Sequence, residues 1–260
     1  MKIIKIFFSF IILNFSFNIF SHDLESAISS SDRTESFNAR DIYRHPFETI
    51  NFFQIKPNMT VLELSPGGGW YTEIFANYLH EPGNLIAAHF NPNSTREYFK
   101  NSRERFEEKI SSSPIYQNVS IVDLNSILAT SETVDAVVTF RNLHNWIGQQ
   151  MDDIFLASYK ALKPGGLLGV VEHRANEGTS IEVMKKTGYV TEEYAISMIT
   201  KHGFEFVASS EINANPKDSK DHIKGVWTLP PTLRLKEKDK EKYLSIGESD
   251  RMTLLFRKPE

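Results

Sequence analysis

Val61-Leu62-Glu63-Leu64-Ser65-Pro66-Gly67-Gly68-Gly69-Trp70 passes from a short apolar block, through a glycine-rich bend, into a helical pattern. Apart from Glu63 the block is apolar on successive rather than alternate residues, as in a parallel strand buried on both faces. From Trp70 to His80, Ile74, Phe75, Tyr78 and Leu79 recur at helical spacing. A bend with few side chains lets a bulky ligand approach the backbone, and a helix N-terminus attracts carboxylate or phosphate. In an open α/β sheet such a bend lies at the carboxyl edge of the strands, where ligands bind.

The same alternation continues downstream. Asn84 to His89 reads as a second strand, Thr95 to Ile110 as a helix, and Val119 to Val122 as a third strand closed by Asp123. Val134 to Phe140 is a fourth strand, and Gln149 to Leu162 a helix ending at Lys163-Pro164-Gly165-Gly166. Leu167 to Val171 is a fifth strand, Thr191 to His202 a helix stopped by Gly203, and Met252 to Phe256 the last strand. Strands and helices in this order build stacked βαβ units, so the expected fold is α/β, Rossmann-like and doubly wound. Before it, residues 22–56 read as an N-terminal helical cap interrupted at His45-Pro46, and the main domain covers 57–260. Residues 214–247, rich in Lys, Asp and Pro, read as an insertion, with Lys236 to Lys242 a solvated charge run.

Composition narrows the function. The chain has 260 residues, 40% hydrophobic and 24% charged, enough for one sizeable core. A net charge of -4 argues against nucleic acid as a partner and fits a small-molecule substrate. The absence of cysteine excludes disulfides, thiolate metal sites and cysteine nucleophiles. At the N-terminus, Lys2 and Lys5 precede an apolar run from Ile6 to Phe20 that contains Asn14 and Asn18. The run is short of the about 20 apolar residues that span a bilayer. It reads as a secretory signal over 1–21, which predicts export, to the periplasm in a bacterium, with no membrane insertion once the signal is removed. An uncleaved anchor is the alternative, because Ile19 is large for its place before the cut.

A dinucleotide fingerprint needs a third glycine and an acid after the second strand. Here Thr72 takes the glycine's place and the strand ends Ala87-Ala88-His89, so a nicotinamide cofactor fits poorly. Glu63-x-Ser65-x-Gly67-x-Gly69 resembles instead the E-x-G-x-G-x-G signature of class I S-adenosylmethionine-dependent methyltransferases. Leu162-Lys163-Pro164-Gly165-Gly166 is similar to that family's L-x-P-G-G element. Arg40-Asp41-x-x-Arg44-His45-Pro46 and Gly247-Glu248-Ser249-Asp250-Arg251-Met252 resemble a bacterial group of signal-bearing methyltransferases. The resemblance implies a seven-stranded, mostly parallel sheet with an antiparallel last strand, and S-adenosylmethionine as cofactor. It implies that Glu63, Ser65, Gly67, Gly68 and Gly69 surround the methionine moiety and that Asp123 meets the adenine amino group. Ser65 stands at a family glycine, which suits a backbone with negative φ. His89 stands where the family has a ribose-binding acid, so a hydrogen bond from His89 or Asn91 takes that part.

Methyl transfer depends more on positioning than on covalent chemistry, and needs a base only where the acceptor must lose a proton. The segment Phe140-Arg141-Asn142-Leu143-His144-Asn145-Trp146 lies where the family places acceptor-facing residues. His144 is the candidate base, Asn142 an acceptor-orienting amide, and Arg141 a cofactor-side cation. Tyr71 or Trp146 offers a cation-π face to the sulfonium. Glu172-His173-Arg174 ends the fifth strand, where Glu172 either holds the acceptor or pairs with Arg174 or Arg40. The histidines and Glu172 show no metal-like spacing, so no metal is expected. Arg40, Asp41, Arg44 and His45 read as a polar cluster, either a surface salt-bridge network or a contact to the methionine carboxylate. A second reading keeps the fold without the catalysis, as an exported domain holding another ligand.

Overall fold

The computed structural model describes residues 23–260, so the expected signal over 1–21 lies outside the described residues. Among the described residues no helix is long and apolar enough to cross a membrane. One sheet organises the chain. Its strands are β1 (Thr60–Leu64), β2 (Asn84–His89), β3 (Val119–Asp123), β4 (Val134–Phe140), β5 (Leu162–His173), β6 (Glu205–Ser210) and β7 (Arg251–Arg257). They lie in the order β3-β2-β1-β4-β5-β7-β6. The first five run parallel, and β7 is antiparallel to both β5 and β6. The winding reverses between β1 and β4, which makes their carboxyl ends the place where an open α/β sheet binds ligands.

Successive residues of each inner strand serve opposite faces. Leu62, Val137, Val170 and Leu254 join a core closed by the helices Gln149–Ala161 and Glu192–Thr200. Val61, Val138, Val171 and Leu255 join a core closed by the helix Trp70–Tyr78 and by Ile50 and Phe53 of the cap. The cap breaks where the sequence implies. His45, at φ 40, joins the helices Asp41–Arg44 and Pro46–Phe52.

Some elements differ from expectation. β6 was unplaced: its apolar run, Phe206-Val207-Ala208, is short, and as an edge strand it leaves Phe206 and Val207 exposed. The helix Ile181–Thr187, capped by Ser180, was also unplaced. The helix before β5 ends at Ala161, and Leu162 already pairs with Val134. Lys163-Pro164-Gly165-Gly166 is therefore an irregularity inside β5 rather than a loop ahead of it. Within 214–247 the chain forms a helix, Lys240–Ile246, and is held by the buried carboxylate of Asp218, which accepts from Tyr189 Oη and the Asp250 N–H.

The cap is pressed directly onto the sheet at Gly169, where an added Cβ would lie 2.5 Å from the Phe53 ring. Gly169→Ala is expected to destabilise the protein by about 1–3 kcal/mol, the usual range for overpacking a filled core. Urea unfolding checks this as a lowered midpoint with an unchanged slope.

Candidate functional site

β1 runs into the bend with its ladder intact, since the Ser65 N–H donates to Ala88 O at 2.8 Å. The next step departs from expectation: Ser65 has φ 50, in the left-handed region. That conformation costs an L-residue about 1–2 kcal/mol. The Asn142 amide, which donates from Nδ2 to both Leu64 O and Ser65 O at 3.2 Å, holds it in place. Arg141, at the matching end of β4, has φ 63. Asn142 thus straps the ends of β1 and β4 together, and its amide nitrogen is not free to orient an acceptor.

The glycines divide. At Gly67, φ 62, a Cβ would meet nothing within 4 Å. Gly68 lies under Phe37 of the cap, and Gly69 packs against Phe106 and Lys109. Of the three, Gly67 alone faces open space. Glu63 turns beneath the bend, where its Oε2 accepts the Thr72 hydroxyl at 2.6 Å. Burial pushes its carboxyl up to about 7 against the opposing effect of that bond. Glu63 therefore ties β1 to the following helix and does not line the cavity.

That cavity, of about 440 Å³, opens at the carboxyl ends of β1, β2 and β4. Its walls include Ser65, Gly67, Phe90, Tyr98, Phe99, Asn142 and Trp146. Phe90 and Phe99 stack at 4.2 Å, with the Arg96 guanidinium 4.0 Å from the Phe99 ring centre. The buried Ser65 Oγ has no partner among the described residues. His89 touches this cavity, but both ring nitrogens are engaged. The Phe90 N–H donates to Nδ1 at 2.8 Å, so the ring proton sits on Nε2 and is given to Gly67 O at 3.2 Å. Burial lowers this imidazole to about 4, which keeps it neutral. His89 buttresses the bend and has no nitrogen left for a ribose hydroxyl. Asp123 does not line the cavity either, and its Oδ1 accepts from Arg103 Nη1 at 3.0 Å.

A second cavity, of about 230 Å³, adjoins the first, and Asn145 lines both. It is bounded by Arg141, His144, His173, Trp227, the Pro230-Pro231 pair, Glu248 and Ser249. Glu172, fully buried, accepts three N–H groups: the backbone of His144 at 3.3 Å, the backbone of His173 at 2.7 Å and the His144 ring through Nδ1 at 3.0 Å. Fixing Nδ1 as the donor leaves Nε2 of His144 as the free acceptor. Glu172 thus pairs with neither Arg174 nor Arg40, since Arg174 binds Asp250 and Glu211 while Arg40 binds Glu248. Donor atoms of His144, Glu172 and His173 lie within 4.8 Å of one another, a juxtaposition that sequence spacing did not reveal, and His45 is not among them. With Glu172 already accepting three N–H groups, the trio is a hydrogen-bonded His–Glu pair with a neighbour rather than an open ligand cage.

Tyr71 does not present a free ring face. Its ring stacks on Phe140 at 3.5 Å, Trp70 meets its edge, and burial pushes its hydroxyl up to about 12. Trp146 both packs in the core and lines the first cavity. The expected surface network around Arg40 is in fact buried. Arg40 Nε and Arg251 Nη2 reach Glu248 at 2.6 and 2.7 Å, with Arg44 at 3.6 Å and Arg141 at 4.0 Å. Burial alone would raise the Glu248 carboxyl, but Arg251, Arg44 and Arg141 outweigh it and hold it at about 2. Burial, aided by Arg251, lowers Arg141 to about 10.

Residues 62–170 match the family model described as a methyltransferase domain. A SAM-dependent methyltransferase from Aquifex aeolicus aligns over 92% of this chain and 98% of its own, with 15% identity and a TM-score of 0.56. This chain has the class I methyltransferase fold. A geranyl diphosphate C-methyltransferase from Streptomyces coelicolor A3(2), solved with Mg²⁺, geranyl-S-thiolodiphosphate and S-adenosyl-L-homocysteine, aligns over 90% of this chain and 84% of its own, with 10% identity and a TM-score of 0.57. The [4+2]-cyclase SpnF gives 0.58 over 94% and 95%, with 13% identity. At these identities the likeness is one of fold. No curated protein matches the chain by sequence. On this methyltransferase fold the aromatic wall of Phe90, Tyr98 and Phe99 was missed in the sequence, although Tyr98 and Phe99 are adjacent in the chain just after Arg96-Glu97. Trp227 and the Pro230-Pro231 pair were missed because they lie in the presumed insertion.

Buried neutral His89 gives the fold a pH signature. Between its ordinary 6.5 and about 4 the unfolded chain gains a proton that the folded one refuses. This contribution to stability is present above pH 6.5 and is lost as pH falls toward 4, by up to about 3 kcal/mol. Glu63 acts oppositely, its raised carboxyl favouring the folded state less as pH climbs from 4.5 to 7. Comparison with His89→Gln isolates the first effect: denaturant titrations at pH 7, 5.5 and 4 should show the variant losing less stability than the parent.

Proposed function

We propose that this chain transfers a methyl group from S-adenosylmethionine to a small or exposed acceptor held beside His144. One observation carries the reading: two adjoining cavities flank the β1/β4 reversal, one bordered by the open Gly67 and the other by the His144–Glu172 pair. The first is within the size range of small-ligand pockets, roughly 300–1,000 Å³. Gly67 and Ser65, with its unpartnered buried hydroxyl, would take the aminoacyl side of the cofactor. Phe90, Tyr98 and Phe99 would flank the adenine, in place of direct recognition by Asp123.

When bound, S-adenosylmethionine supplies an electrophilic methyl carbon, taken by an acceptor lone pair as the carbon–sulfur bond breaks and its electrons pass to sulfur. Nε2 of His144 accepts the proton that the acceptor loses. Glu172 fixes the ring through Nδ1 and stabilises the imidazolium that results. The short helix Leu143–Trp146 places His144 in the second cavity and Trp146 in the first, so one turn of chain serves both.

One observation favours the second reading, a binding domain without catalysis. His89, the expected ribose contact, has both ring nitrogens engaged internally, and Asp123, the expected adenine contact, gives one carboxylate oxygen to Arg103 and does not line the first cavity. Calorimetry on the full chain separates the two. A dissociation constant for S-adenosylmethionine below about 100 μM, roughly -5.5 kcal/mol, supports the transferase. Gly67→Val, which puts a branched side chain at φ 62 into the cavity, should abolish that heat. No detectable heat from the parent protein would leave the binding-domain reading.

Export belongs to the same proposal and rests on Lys2, Lys5 and the apolar run Ile6–Phe20. Intact-mass measurement of the protein from a bacterial periplasm should show loss of residues 1–21. Retention of the full mass in a membrane fraction would point to an anchor instead.

A further inference from the structure

We propose that the arginine cluster behind the second cavity binds an oxyanion, a carboxylate or phosphate, carried by the methyl acceptor. The term acceptor rests on the methyl-transfer reading, whereas the anion site stands on the cluster itself. Four guanidinium groups, from Arg40, Arg44, Arg141 and Arg251, face one carboxylate, that of Glu248. Glu248 Oε1 is occupied by Arg40, and Oε2 is shared among the other three. Three nitrogens of Arg44, one of Arg40 and one of Arg251 have no hydrogen-bond partner among the described residues. Arg44 is 1% exposed and Arg251 2% exposed.

Burying unpaired cations is strongly unfavourable, and a purely structural ion pair is normally matched. Elsewhere in this chain it is. Arg33 holds Asp41 with two bonds, and Arg174 is met by both Asp250 and Glu211. The excess positive charge here also runs against the chain's overall net of -4. Its chemistry suits an oxyanion, because guanidinium forks match pairs of carboxylate or phosphate oxygens.

Of the cluster's cations, Arg141 alone reaches a cavity, the second, while Glu248 borders both the second and a third, of about 190 Å³, beside Tyr43 and His45. Arg141 and Glu248 line the second, where the Arg141 side chain is 24% exposed, and none of the four arginines lines the first. His144 shares that second cavity. An anionic group bound to Arg141, with Arg44 and Arg251 behind it, would hold the rest of a small acid between His144 and the Trp227–Pro231 wall. The cavity's 230 Å³ suits a small acid rather than a nucleotide.

The test uses the purified full chain without S-adenosylmethionine, comparing thermal unfolding in inorganic phosphate with sodium chloride at the same ionic strength. Phosphate at tens of millimolar should raise the midpoint by about 2 °C or more, and Arg141→Gln should remove that rise. Arg44→Met keeps the packing on Trp70 while deleting one of the crowded cations. It should raise the midpoint of the phosphate-free protein and cancel its phosphate response, whereas a merely structural Arg44 would give a lower midpoint. Equal midpoints in phosphate and chloride, or a phosphate response that survives Arg141→Gln, would overturn the site. Competition between phosphate and S-adenosylmethionine in calorimetry would move the anion from the acceptor to the cofactor and overturn the assignment. The two readings fail separately: a phosphate response without cofactor heat keeps the anion site and removes methyl transfer, and the reverse removes the anion site alone.

Discussion

Glu248 faces four arginines drawn from three parts of the chain, and the cap meets the carboxyl ends of the central strands around that encounter. Arg40 and Arg44 come from the cap, Arg141 from the end of β4, and Arg251 from the start of β7. In a medium of low dielectric the attraction is strong, but so is repulsion among the cations. The carboxylate is held far below its ordinary range while Arg44 and Arg141 are driven down from theirs. The cap is therefore fastened to the sheet edge by a charge arrangement that is itself unbalanced. It can be read only together with the cavity that Arg141 borders.

Beside this cluster the reversal between β1 and β4 separates two recesses of different character. The first is walled by aromatic rings and backbone, the second by imidazole, indole, guanidinium and proline rings. Left-handed residues stand at both strand ends, Ser65 and Arg141, and a single amide, that of Asn142, spans the gap. Strain of this kind persists where surrounding contacts over-determine the backbone, as they commonly do at ligand sites. The Glu63–Thr72 bond beneath and the His89–Gly67 bond beside the bend complete the bracing.

The strands that build the floor were legible because parallel strands buried on both faces are written as apolar runs. β6 was not, since it is an edge strand with four of its six residues facing solvent. The bend itself was legible, but its inner accounting was not. Sequence spacing placed Glu63, His89, Asp123 and Tyr71 at the right strand and helix ends without telling which way each side chain would turn. Glu63, His89 and Tyr71 turned inward, toward Thr72, Gly67 and Phe140, while the partly exposed Asp123 turned to Arg103. Direction depends on tertiary neighbours such as Arg103 and Phe140, and no local pattern encodes those. His144 and Glu172 were each singled out in the sequence because both stand at the carboxyl ends of strands, but their pairing appears only in the fold, where β4 and β5 are neighbours. The role of Glu248 was not legible, because its partners are scattered along nearly the whole chain.

Arg40 and Glu248 are 208 positions apart, yet their side chains touch. Closing so long a segment carries an entropic penalty that grows only slowly with length, but it must be met before the contact can form. During synthesis the cap is made well before its carboxylate partner. Until β7 is laid down, Arg40 and Arg44 have no counter-ion at this position. The ionic fastening of the cap therefore comes only with the completion of the sheet at β7, and with it the rim of the second recess, although Ile50 and Phe53 can pack on the earlier strands before then.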